Sequence, residues 1–177
     1  MFSLCLAAYG RLLARLSGQD DVVVAIFSAG QPEVAASALV GYCVGVLPLR
    51  IAAGPAIADT HLLAEVQRSV AQGMAHRDYP FARLLKDLNL RRDPSRPPLA
   101  SVSFNLDRVD VQPHFAGLNT IVDANAHGAV RWDLNWNMQV DAGGLRIDVH
   151  YNRDLFDAVR IESWLDAYAG ILEALAA

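Results

Sequence analysis

The sequence predicts a layered α/β (α+β) domain, with one mixed β-sheet and helices packed on it. Three patterns carry that prediction. Val130, Trp132, Leu134, Trp136, Met138 and Val140 alternate strictly with Arg131, Asp133, Asn135, Asn137 and Gln139, which is the period-two signature of a strand with one apolar face. Val22-Val23-Val24-Ala25-Ile26-Phe27 is a continuous β-prone run, as expected of a strand covered on both faces. Segments near both ends place apolar residues at helical spacing, so strands and helices share the chain.

Each element follows in order. Leu6, Tyr9, Leu12, Leu13 and Leu16 form a helical stripe, and Gly18 stands where a C-cap glycine ends it. The strand at 22–27 comes next. Residues 28–38 are small and polar, with Gly30 and Pro32 as breakers. A second apolar stretch from Val40 to Leu49 is cut by Gly41, Gly45 and Pro48, and a loop follows through Gly54 and Pro55. Thr60 is the expected cap of a helix with Leu63, Val66 and Val70 on its inner face. A shorter helix follows Pro80, carrying Phe81, Leu84, Leu85 and Leu88. Charge and proline from Leu90 to Pro98 mark an ordered loop.

Val102, Phe104 and Leu106 alternate with Ser101, Ser103 and Asn105 as a further strand. The strand at 130–140 turns at Asp141-Ala142-Gly143-Gly144 and returns through Leu145, Ile147, Val149 and Tyr151. That is a long antiparallel hairpin with one apolar and one polar face. The last helix, 158–176, has Ile161, Trp164, Leu165, Tyr168, Ile171, Leu172 and Leu175 on one stripe.

The chain has 177 residues, of which 53% are hydrophobic. It fits one domain with a sizeable core, and its apolar bias indicates a face that must be covered. The net charge is -4 and no basic field stands out, which argues against a nucleic-acid partner. Lys86 is the only lysine, a bias ascribed to genome composition rather than function. Cys5 and Cys43 are too far apart for a CxxC metal pair and are read as free thiols in a reducing compartment. Arg11 and Arg15 interrupt the apolar start, so it reads as neither signal peptide nor membrane span. The expected location is the cytoplasm, away from membranes. The chain opens directly inside a helix, as one half of a larger unit would.

A search for chemistry finds no internal catalytic set. His61, His76, His114, His127 and His150 stand apart from one another, in no HExxH or other metal-binding pattern. There is no GxSxG elbow, no GxGxxG and no Walker A lysine. Asp20-Asp21 could form a carboxylate pair, but a turn accounts for it better. Asp157 is placed to cap the last helix.

Five segments in order resemble condensation domains of nonribosomal peptide synthetases. Leu16 to Val24 reads LSGQDDVVV, similar to the family's LSGQDDVVVG. Val40 to Arg50, VGYCVGVLPLR, resembles GxFVNTLPLR and contains Gly41, Tyr42, Gly45, Pro48 and Arg50. His76 to Leu84, with Asp78, Pro80 and Phe81, resembles HQDYPFEQL. Arg91 to Leu99, with Arg92, Asp93, Ser95 and Arg96, resembles RDxSRNPL. Tyr151 to Asp157, with Asn152, Asp154 and Phe156, resembles YNTDLFD. The first apolar motif looks closest to a subgroup carrying GHCVNLLPLR, found in hybrid polyketide–peptide assembly lines.

The resemblance implies that residues 1–177 are the C-terminal lobe of a V-shaped pair of chloramphenicol acetyltransferase-like lobes. The catalytic HHxxxDG motif belongs to the N-terminal lobe and is absent from these residues. The implied reaction joins carrier-bound thioesters through an amide bond. No cofactor is expected on this chain; the substrates ride on the phosphopantetheine of carrier proteins. The implied partners are the N-terminal lobe and those carriers, with self-association through the uncovered lobe face. Tyr42, Gly45 and Arg50 are the tunnel-side candidates, and Arg50 is equally readable as a structural ion pair. Gly45 stands where the family usually has Asn, which removes a group able to orient a carbonyl. The other motif residues are expected to be scaffolding. A carrier-docking remnant without catalysis, and a lobe of an ester-forming or epimerisation domain, remain alternatives.

Overall fold

Backbone pairing sets the frame of the computed structural model, which describes residues 1–29, 41–91, 93–108, 115–120, 131–141 and 143–177. In chain order the elements are α1 (Phe2–Ser17), β1 (Asp21–Ala29), β2 (Val44–Ala52), α2 (Asp59–Ala75), α3 (Phe81–Asp87), β3 (Val102–Arg108), β4 (Leu134–Asp141), β5 (Gly144–Tyr151) and α4 (Ala158–Ala176). The strands form one sheet in the order β2-β1-β3-β4-β5. The two outer pairs are antiparallel, and β1–β3 and β3–β4 are parallel. The mixed sheet with packed helices is therefore as the sequence predicts.

Alternation assigns the two faces. Val24 pairs with Leu49 and Val102, Phe104 with Trp136, and Trp136 with Val149. These residues share one face, and α1, α2 and α4 bury it. Phe104, Trp136, Tyr9 and Tyr168 are wholly enclosed there. The Tyr9 ring stacks on Trp136 at 5.1 Å, and Tyr168 lies 5.1 Å from the same indole. The Tyr168 hydroxyl donates to the Cys5 carbonyl at 3.1 Å, tying α4 to α1. Burial pushes the Tyr9 and Tyr168 phenols and the Cys5 thiol upward, so all three stay neutral.

The opposite face differs from expectation. β1 is buried on its helix side through Val22, Val24 and Ile26, but Val23 and Phe27 on the other side are only half-buried. A small cluster of Ala25, Ala100 and Trp132 covers part of that side. The rest of the face runs from apolar on β2 and β1 to polar on β3 and β4. There Asn105 Nδ2 donates to Asn137 Oδ1 at 2.9 Å.

Other boundaries shift for identifiable reasons. The apolar stretch from residue 40 contains a full strand, β2, despite Gly45 and Pro48. β2 is an edge strand, where a residue without an N–H is tolerated. The hairpin strand begins at Leu134, after bends at 131–133, rather than at 130. Its turn is held by Asp141, whose Oδ1 accepts from the N–H groups of Gly143 (2.7 Å) and Gly144 (3.1 Å). Gly144 has φ 133, a conformation that favours glycine. Ala58, not Thr60, holds the cap position of α2, and no side chain bonds there. Leu62 joins Val66 as the buried face of α2, while Leu63 and Val70 are partly buried. The caps read as Gly18 (φ 67) and Asp157 are found in place; Asp157 Oδ1 accepts from Arg160 N at 2.8 Å. Gly30, Pro32, Val40, Arg92, His114, His127, Val130 and Ala142 lie outside the described residues.

Candidate functional site

The segment 41–50 enters β2 from an exposed bend. Gly41 and Tyr42 are exposed, Tyr42 at 84%. Arg50 alternates to the open side of β2, and its side chain is 80% exposed. Its Nε donates to the Asp21 carboxylate on β1, two residues along from Val23, the register partner of Arg50. Asp21 is thereby committed to an ion pair. The carbonyl of the adjacent Asp20 accepts from the N–H groups of Ala53 (2.8 Å) and Gly54 (3.1 Å). The structure thus gives Asp20-Asp21 the turn role. Asp21 and Arg50 also border a groove of about 290 Å³ against the α2 side chains His61 and Glu65.

Gly45 faces the other way. It pairs with Ser28 of β1, and a Cβ built on it would lie 2.7 Å from Ser28 Oγ and 3.8 Å from the Arg77 carbonyl. The serine hydroxyl fills the space that a side chain at position 45 needs. Gly45→Asn is therefore expected to cost about 1–3 kcal/mol by overpacking. Ser28→Gly in the same chain should recover most of that loss. Urea midpoints of the four chains in this double-mutant cycle check it; purely additive costs would contradict the contact.

The third and fourth motifs meet in space. His76 takes the C-cap position of α2, Asp78 is exposed, and Pro80 takes the N-cap position of α3 ahead of the half-buried Phe81. The Tyr79 hydroxyl donates to the Asp87 carboxylate, a bond that raises the phenol's pKa. In the following loop Asp93 Oδ1 accepts from Ser95 N (3.0 Å) and Ser95 Oγ (2.6 Å), and Arg96 Nε lies 3.1 Å from Asp93 Oδ2. The two Ser95 bonds, with Arg96 beside them, hold the Asp93 carboxyl below the usual carboxylate range. Asn89 (φ 45) and Leu99 (φ 68) bracket the loop in left-handed conformations. For a bulky side chain such as Leu99 that costs on the order of 1 kcal/mol or more. Between α3 and this loop lies a cavity of about 710 Å³ with largely apolar walls. Nothing in the spacing of the sequence foretells it, since the sequence gives each motif a scaffolding role and no common cavity.

The fifth motif is a hydrogen-bonded corner. Asn152 N donates to Asp133 O at 3.0 Å, Asn152 Oδ1 accepts from Asp154 N at 3.0 Å, and the Phe156 ring meets Trp164 edge-on at 5.1 Å. These contacts fix the entry to α4. His150 lies on the polar side of β5, as its alternation predicts. His61 is 3.8 Å from Glu65. Among the described residues no group of His, Cys, Asp or Glu is arranged to hold a metal ion, and no helix is long and apolar enough to cross a membrane.

One side chain with a large structural role enters the sequence reading only as an interruption of the apolar start. Arg11 of α1 is 5% exposed. Its guanidinium donates to the carbonyls of Ala53 (3.1 Å), Gly54 and Ile57 (2.7 Å) and to Asp59 Oδ1 (2.9 Å). It clamps the connection from β2 to α2.

Comparison with known proteins places this arrangement. The chain is 32% identical over its whole length to surfactin synthase subunit 1 of Bacillus subtilis (strain 168) and 30% identical over 99% of its length to bacitracin synthase 1 of Bacillus licheniformis. It spans only 5% and 3% of those two proteins. Among solved structures it resembles the X-domain from teicoplanin biosynthesis (TM-score 0.84, 24% identity, 99% of this chain and 41% of that one). It resembles the starter condensation domain of rhizomide synthetase similarly (TM-score 0.81, 22% identity, 98% and 41%). These two likenesses concern the fold. The family model for the condensation domain matches residues 1–177, and the chain belongs to the condensation domain family.

Proposed function

We propose that the chain is the C-terminal lobe of a condensation domain, which forms amide bonds between carrier-bound acyl and aminoacyl thioesters when joined to its N-terminal lobe. The observation that carries this reading is the family match over residues 1–177, together with a fold that spans about 41% of each of the two solved chains it resembles. The half-covered apolar face of β1 and β2 fits a surface that meets another lobe. No two histidines are adjacent in the sequence, so the general base or positioning histidine comes from outside these residues. The substrates arrive on phosphopantetheine arms of carrier proteins, and no cofactor is held by this chain itself.

Tyr42 and Arg50 are exposed on the β2 side, so both are available to a substrate arm. Arg50 serves as both anchor and contact in this reading. Its ion pair with Asp21 orients the guanidinium without burying it. Gly45 acts through close packing on Ser28 rather than by reaching a substrate.

The test joins this chain to an N-terminal lobe carrying HHxxxDG and supplies carrier-bound donor and acceptor. Mass spectrometry of the product then decides. An amide-linked product is expected. An ester product, an epimerised donor, or carrier binding without turnover would replace the proposal with one of its alternatives.

A further inference from the structure

The cavity between α3 and the 90–99 loop is not used by the condensation reading. Its lining includes Leu85, Leu90, Pro94 and Pro98, the exposed Lys86 and Arg91, and the Asp93–Arg96 pair. α3 has no buried residue, and Leu88 and Leu90 are 47% and 44% exposed. This apolar surface is held open. Three prolines restrict the loop, Asp93 ties it to Ser95 and Arg96, and Asn89 and Leu99 fix its ends at positive φ. Backbone strain of that kind persists where the surroundings over-determine it and is frequent at ligand clamps.

Charge identifies the partner. Residues 81–99 carry Arg83, Lys86, Arg91, Arg92 and Arg96 against Asp87 and Asp93, a net of +3 in a chain of net -4. Arg83 and Arg96 sit 3.5 Å and 3.1 Å from those two carboxylates. The excess therefore rests on the basic residues beyond these two pairs, and Lys86 and Arg91 among them border the apolar cavity. A rigid apolar groove with a cationic rim fits a segment that offers apolar side chains between carboxylates. Nucleic acid fits worse, because the walls hold aliphatic and proline side chains and no aromatic ring on which a base could stack.

We infer that this groove is a docking site for an acidic, amphipathic protein segment, with Lys86 and Arg91 as its charge-reading residues. The inference stands independently of the condensation reading, since it concerns binding at a different surface.

The probe is a labelled synthetic helix peptide with leucines on one face and glutamates on the other. Its counterpart with lysines in place of the glutamates is the control. Fluorescence anisotropy on this chain should show saturable binding of the acidic peptide and at least tenfold weaker binding of the basic one. Raising salt shortens the screening length from about 30 Å at 0.01 M to about 8 Å at 0.15 M and should weaken the acidic peptide severalfold. Lys86→Glu with Arg91→Glu, both exposed positions, should leave the melting temperature unchanged and reduce binding by about tenfold or more. Leu90→Asp tests the apolar wall by an independent route and should weaken binding similarly. Equal binding of both peptides, or binding indifferent to all three substitutions, would overturn the inference.

Discussion

Arg11→Met should lower the stability of this chain by about 3 kcal/mol, far more than a surface arginine is worth. The reason lies in what the guanidinium leaves behind. Ala53, Gly54 and Ile57 direct carbonyls at it, and the first two residues are buried; Gly54 O keeps the Ile57 N–H at 3.1 Å, so the Ala53 carbonyl bears most of the loss. An unsatisfied buried carbonyl costs about 1–3 kcal/mol. Methionine keeps the aliphatic stem and supplies no donor. Relief from arginine's own desolvation offsets part of the sum. The ion pair is the smaller contribution, because Asp59 is 57% exposed and can be hydrated when the arginine is gone. Asp59→Asn should accordingly cost about 1 kcal/mol or less. Arg11→Lys should fail to rescue, since one ammonium cannot match a planar fork that reaches four acceptors. Urea unfolding at constant m separates these outcomes. For a chain of this size the methionine variant should melt about 6–12 °C lower. An Arg11→Met chain within about 0.5 kcal/mol of the parent would remove the clamp from the account.

That clamp also marks the limit of what the sequence discloses. An arginine in a helix reads as solvated, and only the fold brings the 53–59 turn over it. Strand alternation survives reading because the period is local: Leu134, Trp136 and Met138 all reach the core, as do Phe104 and the helix-side residues of β1. The caps at Gly18 and Asp157 are local too. β2 was obscured because Gly45 and Pro48 are strand breakers by composition. The edge position excuses the proline, and the glycine answers to Ser28 from a different strand. Both causes are tertiary. The expectation that β1 is covered on both faces rested on its unbroken apolar run, yet a run does not say what covers it. Among the described residues the second side of Val23 and Phe27 receives the small Trp132 cluster. The motifs located the family, and their meeting around a cavity depended on the path of the chain between α3 and β3.

Supplying an N-terminal lobe should change two measurements on this chain at once. The first is rate. A positioned general base or its equivalent contributes roughly 10²–10⁴-fold, and neither His61, His76 nor His150 has a second histidine beside it in the sequence. The isolated chain should therefore give product at the background level, with the N-lobe raising it by about that factor. The second is stability. Val23, Val46 and Phe27 are half-buried and Val44 is 45% exposed, all on the open side of β1 and β2. Monomers seldom leave contiguous apolar patches beyond a few hundred Å². Covering such a patch contributes about 25 cal/mol per Å² before association costs, and those costs are several kcal/mol, so the affinity between separate lobes should be modest. The chain alone should self-associate with rising concentration in sedimentation experiments, and the N-lobe should dissolve those assemblies while raising the melting temperature. Phe27→Asp, placed on that face and away from the helix-side core, should weaken both self-association and lobe binding. A strictly monomeric chain whose melting ignores the N-lobe would separate the open face from any lobe contact. Product formed by the chain alone would show that its own residues carry the chemistry.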